Sequence, residues 1–243
     1  MNDLEIGLCG WNGSQASYYQ DFHAIEVQAT FYDPPALRVV QKWRENAPKT
    51  FQFCIKAWQL ITHSPASPTY RRLRTPVPDS DKPFLGSFQP TEQVIAAWER
   101  TAQISRALDA RVVLFQCPKS FTPSDKNLLN LCAFFRSIRG RRSFQLAWEP
   151  RGDDWTEDIV RELCQEFDLI HCVDPFLHRS FHGTPRYWRL HGIGSYSYRY
   201  TDADLMRLKI AVLDDLEPTF VLFNNFSSKA DAHRFRQILD GVE

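Results

Sequence analysis

Short apolar runs in this chain carry polar residues on alternate positions. Glu26, Gln28 and Thr30 alternate with Ile25, Val27 and Ala29; Gln145, Ala147 and Glu149 alternate with Leu146 and Trp148; Arg189 and His191 alternate with Trp188 and Leu190. Successive strand residues face opposite sides of a sheet, so one face of each run is polar. Burying such a face is expensive unless it lines a working pocket. The same parity in neighbouring runs adds Gln52, Lys56, Gln116, Asp174 and Asn224. These types suit acid–base chemistry on a charged ligand. Glu149 and His191 form a candidate acid–base pair, with Lys56 and Asp174 as further catalytic candidates. Lys56, Arg151 and Arg189 form a candidate clamp for carboxylate or phosphate. Gln28, Gln116 and Asn224 offer neutral hydrogen bonds that fix orientation. Glu26, Thr30, His63, Tyr200 and Asn225 complete the candidate binding set.

Each residue also has a plain structural use. A strand-end Asp174 or Asn225 can cap the next helix. Glu26 can pair with Arg189 or Lys56 inside the protein. A single His191 can be a hydrogen-bonded core histidine. Seven strands ending in polar groups on one parity are harder to explain that way. Metal binding is a rival chemistry: Glu149, Asp174 and His191 end three consecutive runs and could seat one divalent ion. Cationic neighbours on the same parity weigh against it. His178-x-x-x-His182 has metal-like spacing but lies in a segment flanked by Pro175 and Gly183, which reads as loop.

The elements that must position these groups alternate along the chain. Strand-like runs span Leu4–Gly10, Ile25–Thr30, Phe51–Lys56, Arg111–Gln116, Phe144–Glu149, Leu169–Asp174, Tyr187–His191 and Thr219–Asn224. Apolar stripes with helical spacing lie between them, including Leu37/Val40/Trp43, Val94/Trp98/Ala102, Leu128/Leu131/Phe135, Ile159/Leu163/Phe167, Leu205/Leu208/Val212 and Phe235/Ile238/Leu239. Ser124, Thr156 and Thr201 are expected N-caps, and Thr201-x-x-Asp204 a capping box. Eight strand–helix repeats in a chain of 243 residues predict a single-domain (β/α)8 TIM-type barrel over residues 1–243. An open doubly wound sheet is disfavoured because helices would cover both faces, leaving no place for the polar parity. The seven candidates at C-terminal strand ends (Thr30, Lys56, Gln116, Glu149, Asp174, His191 and Asn224) then share the face where barrel active sites lie. One insertion, at about residues 59–90, interrupts the rhythm with six prolines and Tyr70-Arg71-Arg72-Leu73-Arg74. It leaves the third strand on the same face, as a functional loop or a solvated excursion.

Composition narrows the class. Lys+Arg and Asp+Glu both total 29, so no net field steers the chain towards nucleic acid or membrane. With 43% hydrophobic and 14% aromatic residues, a soluble globular protein is expected. No run suits a membrane span and no signal-peptide pattern opens the chain, so the expected location is cytoplasmic. The six cysteines form no CxxC pair and are expected as free thiols. There is no GxSxG, GxxxxGK[ST] or GxGxxG motif, hence no nucleotide-cofactor signature. Tyr196-Ser197-Tyr198-Arg199-Tyr200 interleaves aromatics with arginine, a pattern that can stack bases or sugars.

Several motifs recur in a familiar order: Gly10-Trp11, Glu26-Val27-Gln28-x-Thr30-Phe31-Tyr32, Phe51-x-Phe53-x-x-Lys56, Ile61-Thr62-His63, Gln116-Cys117-Pro118, Glu149-x-Arg151, Arg189-Leu190-His191-Gly192 and Phe223-Asn224-Asn225. Together they resemble the YecE-like family, a domain of unknown function (family seventy-two), in a long-loop branch. The resemblance implies a barrel with a pocket at the strand C-termini and no particular reaction. Its fold is similar to the xylose-isomerase-like barrels, which include metal-dependent isomerases and an apurinic-site endonuclease. Gln28 stands where the family often has Asn, and Cys117-Pro118 where it often has two prolines.

Three functions follow as expectations. The first is an enzyme of hydrolase, lyase or isomerase type acting on a small anionic substrate without a metal. The second is a metal-dependent phosphodiesterase or endonuclease acting on nucleic acid. The third is a non-catalytic binder of a nucleotide or modified base.

Overall fold

The computed structural model describes residues 3–241. All eight strands are present: β1 (Leu4–Cys9), β2 (Ala24–Val27), β3 (Gln52–Lys56), β4 (Val112–Gln116), β5 (Gln145–Glu149), β6 (Leu169–Val173), β7 (Arg186–Leu190) and β8 (Thr219–Phe223). They form a closed parallel barrel in sequence order, with β8 returning to β1. Helices α1 (Gln15–Asp21), α2 (Ala29–Tyr32), α3 (Leu37–Asn46), α4 (Gln59–Thr62), α5 (Glu92–Leu108), α6 (Asp125–Ser137), α7 (Glu157–Phe167), α8 (Asp202–Asp214) and α9 (Ser228–Asp240) complete the chain. The fold is the TIM type expected from the strand–helix alternation. No helix among the described residues is long and apolar enough to cross a membrane.

Local chemistry explains the boundaries. Ser124 and Thr156 accept hydrogen bonds from the backbone of α6 and α7, and Thr201 with Asp204 closes a full capping box on α8. Most strand limits fall within one residue of expectation. β2 is the exception: it stops at Val27 rather than Thr30. Gln28 already has helical backbone angles, and Thr30 lies inside the short α2. The Thr30 hydroxyl is held by the carbonyls of Val27 at 2.9 Å and Lys56 at 2.8 Å. Thr30, 2% exposed, therefore ties β2 to β3 from inside the protein. The short helices α1, α2 and α4 carry no long apolar stripe, which is why periodicity overlooked them.

Two cores flank the sheet. Between strands and helices lies a large aromatic layer, including Phe53, Phe88, Phe115, Phe134 and Trp148. The lumen is apolar through its middle, with Ala24, Cys54, Val112, Leu114, Ala147, Ile170, Tyr187, Phe220 and Leu222. Polar lumen residues therefore concentrate at the upper mouth rather than along its whole depth. Gln52 and Gln145 bond near their strand starts, to the carbonyls of Thr50 and Thr184. All six cysteines are free thiols.

The insertion is folded rather than solvated. The side chains of α4 are buried, and Leu85 and Phe88 pack into the core. Backbone bonds from Gly86 to Leu60 and from Phe88 to Ile61, each 2.8 Å, stitch its two ends together. Its middle leans on the mouth: Tyr70 donates to the His63 carbonyl at 2.9 Å, and the Arg72 guanidinium stacks 3.6 Å over the Tyr32 ring.

Candidate functional site

The mouth of the lumen is built around one arginine. Arg189, on β7, is 1% exposed and reaches both Glu26 of β2, at 2.9 Å through Nη2, and Glu149 of β5, through Nη1. Its Nη1 also meets Gln116 Oε1 at 3.3 Å. Tyr187, which the sequence reading overlooked, donates its hydroxyl to Glu26 Oε2 at 2.9 Å, and Gln28 donates to Glu26 Oε1. Burial holds the Tyr187 phenol protonated, as that donor role requires. Glu26 thus belongs to a buried structural network, and Arg189 is occupied inside the protein rather than offered to a ligand. Tyr187 sits on the same parity as Arg189; its ring disguised a lumen hydroxyl as core.

Glu149 is the second hub. Arg151 closes on Glu149 Oε1 with two donors, Nε at 2.9 Å and Nη2 at 2.7 Å. Burial by itself would raise the Glu149 carboxyl; the charges of Arg189 and then Arg151 outweigh it and hold it well below the usual carboxylate range. A carboxylate so held does not release or take up protons near neutrality. The expected acid–base partners Glu149 and His191 stand 3.7 Å apart, with Glu149 between two guanidinium groups.

His191 is held from several sides. Its Nε2 lies 3.2 Å from both Arg189 Nη1 and Arg151 Nη2. Guanidinium groups only donate, so Nε2 accepts and the ring hydrogen sits on Nδ1. Nδ1 faces Asp174 Oδ2 at 3.5 Å. Asp174 in turn accepts from the backbone of His191 at 2.9 Å and of Phe176 at 3.1 Å. Asp174 therefore orients His191 and pins the loop after β6.

This arrangement does not fit a metal. The imidazole stands between Glu149 and Asp174, which face opposite ring nitrogens, so one ion cannot reach all three candidate ligands. Both Glu149 oxygens already meet guanidinium donors. Among the described residues, no group of three or more His, Cys, Asp or Glu side chains is placed to hold a metal ion.

Lys56 differs from its cationic neighbours. It is 4% exposed, its ammonium lies 4.0 Å from the centre of the Phe31 ring, and among the described residues it makes no ion pair. Burial, then the Arg189 charge, lowers it to about 8 against the pull of Glu26 and Glu149. His63, brought by the insertion, is buried and pushed down to about 3 by burial and by the charges of Lys56 and Arg151. It is a neutral imidazole in a cationic corner, bonded through Nδ1 to the Thr62 hydroxyl at 2.7 Å. Arg151, with its side chain 26% exposed, opens to solvent.

Two candidates fall outside this cluster. The Tyr200 hydroxyl is buried and accepts the Gly192 N–H at 2.8 Å. Asn225 donates to the Tyr198 carbonyl at 2.8 Å and to Asp231 at 2.7 Å. Both shape the loops beside the mouth instead of facing it. Gly192 has φ +87°, and a side chain there would collide with the Ser195 carbonyl, so this turn depends on the Tyr200 anchor. Replacing Tyr200 by Phe is expected to cost about 1–3 kcal/mol by orphaning that N–H. Urea denaturation measures it, and ligand affinity should be unchanged. The tyrosine that does reach the site is Tyr196, edge-on to His191 with centroids 5.5 Å apart.

Comparison with known proteins agrees with this architecture. A family model described as "Protein of unknown function DUF72" matches residues 7–242. The UPF0759 protein YunF of Bacillus subtilis is 24% identical, over 98% of this chain and 94% of its own length. The crystal structure of a DUF72 family protein from Enterococcus faecalis superposes with a TM-score of 0.76 at 18% identity, covering 100% of this chain and 99% of that one. Endonuclease IV from Thermus thermophilus shares the fold at a TM-score of 0.54 and 14% identity, covering 99% and 100% of the two chains.

Proposed function

The chain belongs to the DUF72 family of proteins of unknown function, and from the chemistry of its barrel mouth we propose that it is an enzyme acting on a small phosphate- or carboxylate-bearing substrate by acid–base chemistry. The observation that carries this reading is Lys56: a buried ammonium that makes no ion pair among the described residues, at the end of a barrel strand. A buried cation left unpaired is costly, and an incoming anion relieves that cost. Arg151, open on one side, supplies a second contact for the anion.

With its ammonium lowered to about 8, Lys56 exchanges a proton near neutral pH and serves as the proton-transfer group. Glu149 stays ionised and fixes Arg151; Asp174 fixes His191, whose ring lies against the open arginine. Neutral His63 offers a hydrogen bond without adding charge. That no group of three or more His, Cys, Asp or Glu among the described residues is placed to hold a metal ion favours this reading over a metal-dependent phosphodiesterase. A library of phosphorylated and carboxylated small molecules, screened for turnover, tests the reading. The expected hit has a rate profile that bends near pH 8, and the bend disappears in Lys56→Arg. A hit whose turnover survives Lys56→Met unchanged would refute the assignment.

A further inference from the structure

The acid–base reading uses no part of the aromatic rim of the mouth. Phe226 follows Asn224 and Asn225 directly at the C-terminal end of β8 and is 81% exposed. Tyr196, in the loop after β7, is 40% exposed. The Phe226 N–H donates to the Tyr196 carbonyl at 2.8 Å, so these two rings sit on loops fastened to each other. Tyr196 meets His191 edge-on, and His191 Nε2 lies 3.2 Å from Arg151 Nη2. Tyr196 therefore borders the cationic cluster through His191, and Phe226 is fastened to it through the backbone. Asn224, two residues before Phe226, is half-buried, and its side-chain amide makes no hydrogen bond among the described residues.

A ligand matching this layout has an anionic end and a flat, hydrogen-bonding ring at a short distance. We propose that the substrate is a free nucleoside monophosphate: its phosphate meets Lys56 and Arg151, its base stacks on Tyr196 and Phe226, and the Asn224 amide bonds the base or sugar edge. This rests on the anionic-substrate reading above. Aromatic rings at a protein surface stack bases with little dependence on which base is present, so the ring contact sets the ligand class more than the base identity.

Calorimetric titration of the intact protein with inorganic phosphate, glycerol phosphate, adenosine monophosphate and a 5′-phosphorylated octanucleotide tests the inference. Adenosine monophosphate is expected to bind about tenfold or more tighter than glycerol phosphate. Phe226→Ala and Tyr196→Ala should each remove about fivefold or more of that preference while leaving glycerol phosphate affinity unchanged. Lys56→Met should weaken every phosphate-bearing probe. If the two monophosphates bind equally, or the ring variants change nothing, the nucleotide inference fails while the anionic reading stands. If no phosphate-bearing probe binds the unaltered protein, the nucleotide inference fails and so does the phosphate half of the anionic reading. An octanucleotide held more than about tenfold tighter than the mononucleotide overturns the free-nucleotide assignment in favour of a strand.

Discussion

Replacing Arg189 by methionine is expected to destabilise the protein by about 3–5 kcal/mol. The guanidinium is buried and bridges two carboxylates contributed from opposite parts of the barrel, Glu26 and Glu149. Its removal leaves both acids away from water, with Tyr187, Gln28 and Arg151 as their remaining donors. The cost of a broken buried pair comes mainly from the stranded charges, so removing a stranded charge as well should restore part of the loss. The double variant Arg189→Met/Glu149→Gln is expected to be more stable than Arg189→Met alone. The effect also depends on pH, with a definite sign. In the unaltered protein Glu149 is held well below its ordinary value of 4.5, so its contribution is present above about pH 4.5 and is lost as the pH falls below it. Without Arg189 much of that contribution is gone. The gap between the two proteins should therefore be wide at pH 7 and narrow towards pH 3. Urea denaturation across this range decides the matter; a gap below about 1 kcal/mol at pH 7 would mean the bridge is not the keystone of the lumen.

Lys56→Met is expected to act in the opposite direction on stability and to weaken ligand binding. The folded protein holds this lysine at about 8, against 10.5 for a free side chain. A base whose folded value is lowered penalises folding when protonated. The penalty is complete below pH 8 and disappears as the pH rises from 8 to 10.5, because over that window the unfolded chain binds more protons than the folded one. The difference of 10.5 − 8 corresponds to about 3 kcal/mol, an upper bound since methionine also alters packing against Phe31. The variant should therefore be more stable than the parent at pH 7 and lose that advantage by pH 10.5. Denaturation at both pH values, together with anion titration, reads the two effects separately. Gain of stability with loss of binding is the mark of a residue retained for function. Loss of both would instead make Lys56 a packing residue.

Much of the site was legible because its cause is local. Strand residues alternate, so Glu26, Lys56, Gln116, Glu149, Arg189 and His191 could be assigned to one face before any contact was known. Where the backbone left the strand, the same logic failed. Gln28 turns into helical geometry, which carries Thr30 away from the ladder to bond two carbonyls. Tyr200 and Asn225 carry suitable groups for binding, yet both serve neighbouring loops. Tyr187 was overlooked as a site residue, because an aromatic ring reads as core until its position shows where the hydroxyl points; Tyr196 was legible only as one member of the 196–200 segment able to stack bases or sugars.

The alternation and its length were sufficient to specify eight strands, closure into a barrel, and a charged mouth, since each follows from periodicity within a few residues and from the need to bury one face of every element. The roles at that mouth depended on tertiary structure. Residues 26 and 189 lie 163 positions apart, and only barrel closure brings their side chains to 2.9 Å. That contact ties Arg189 to Glu26 and Glu149, while Lys56 makes no ion pair among the described residues. Electrostatic interactions depend on distance and burial, neither of which is encoded by spacing along the chain. Residue type therefore placed charge in the lumen, while packing decided which charge remained available to a ligand.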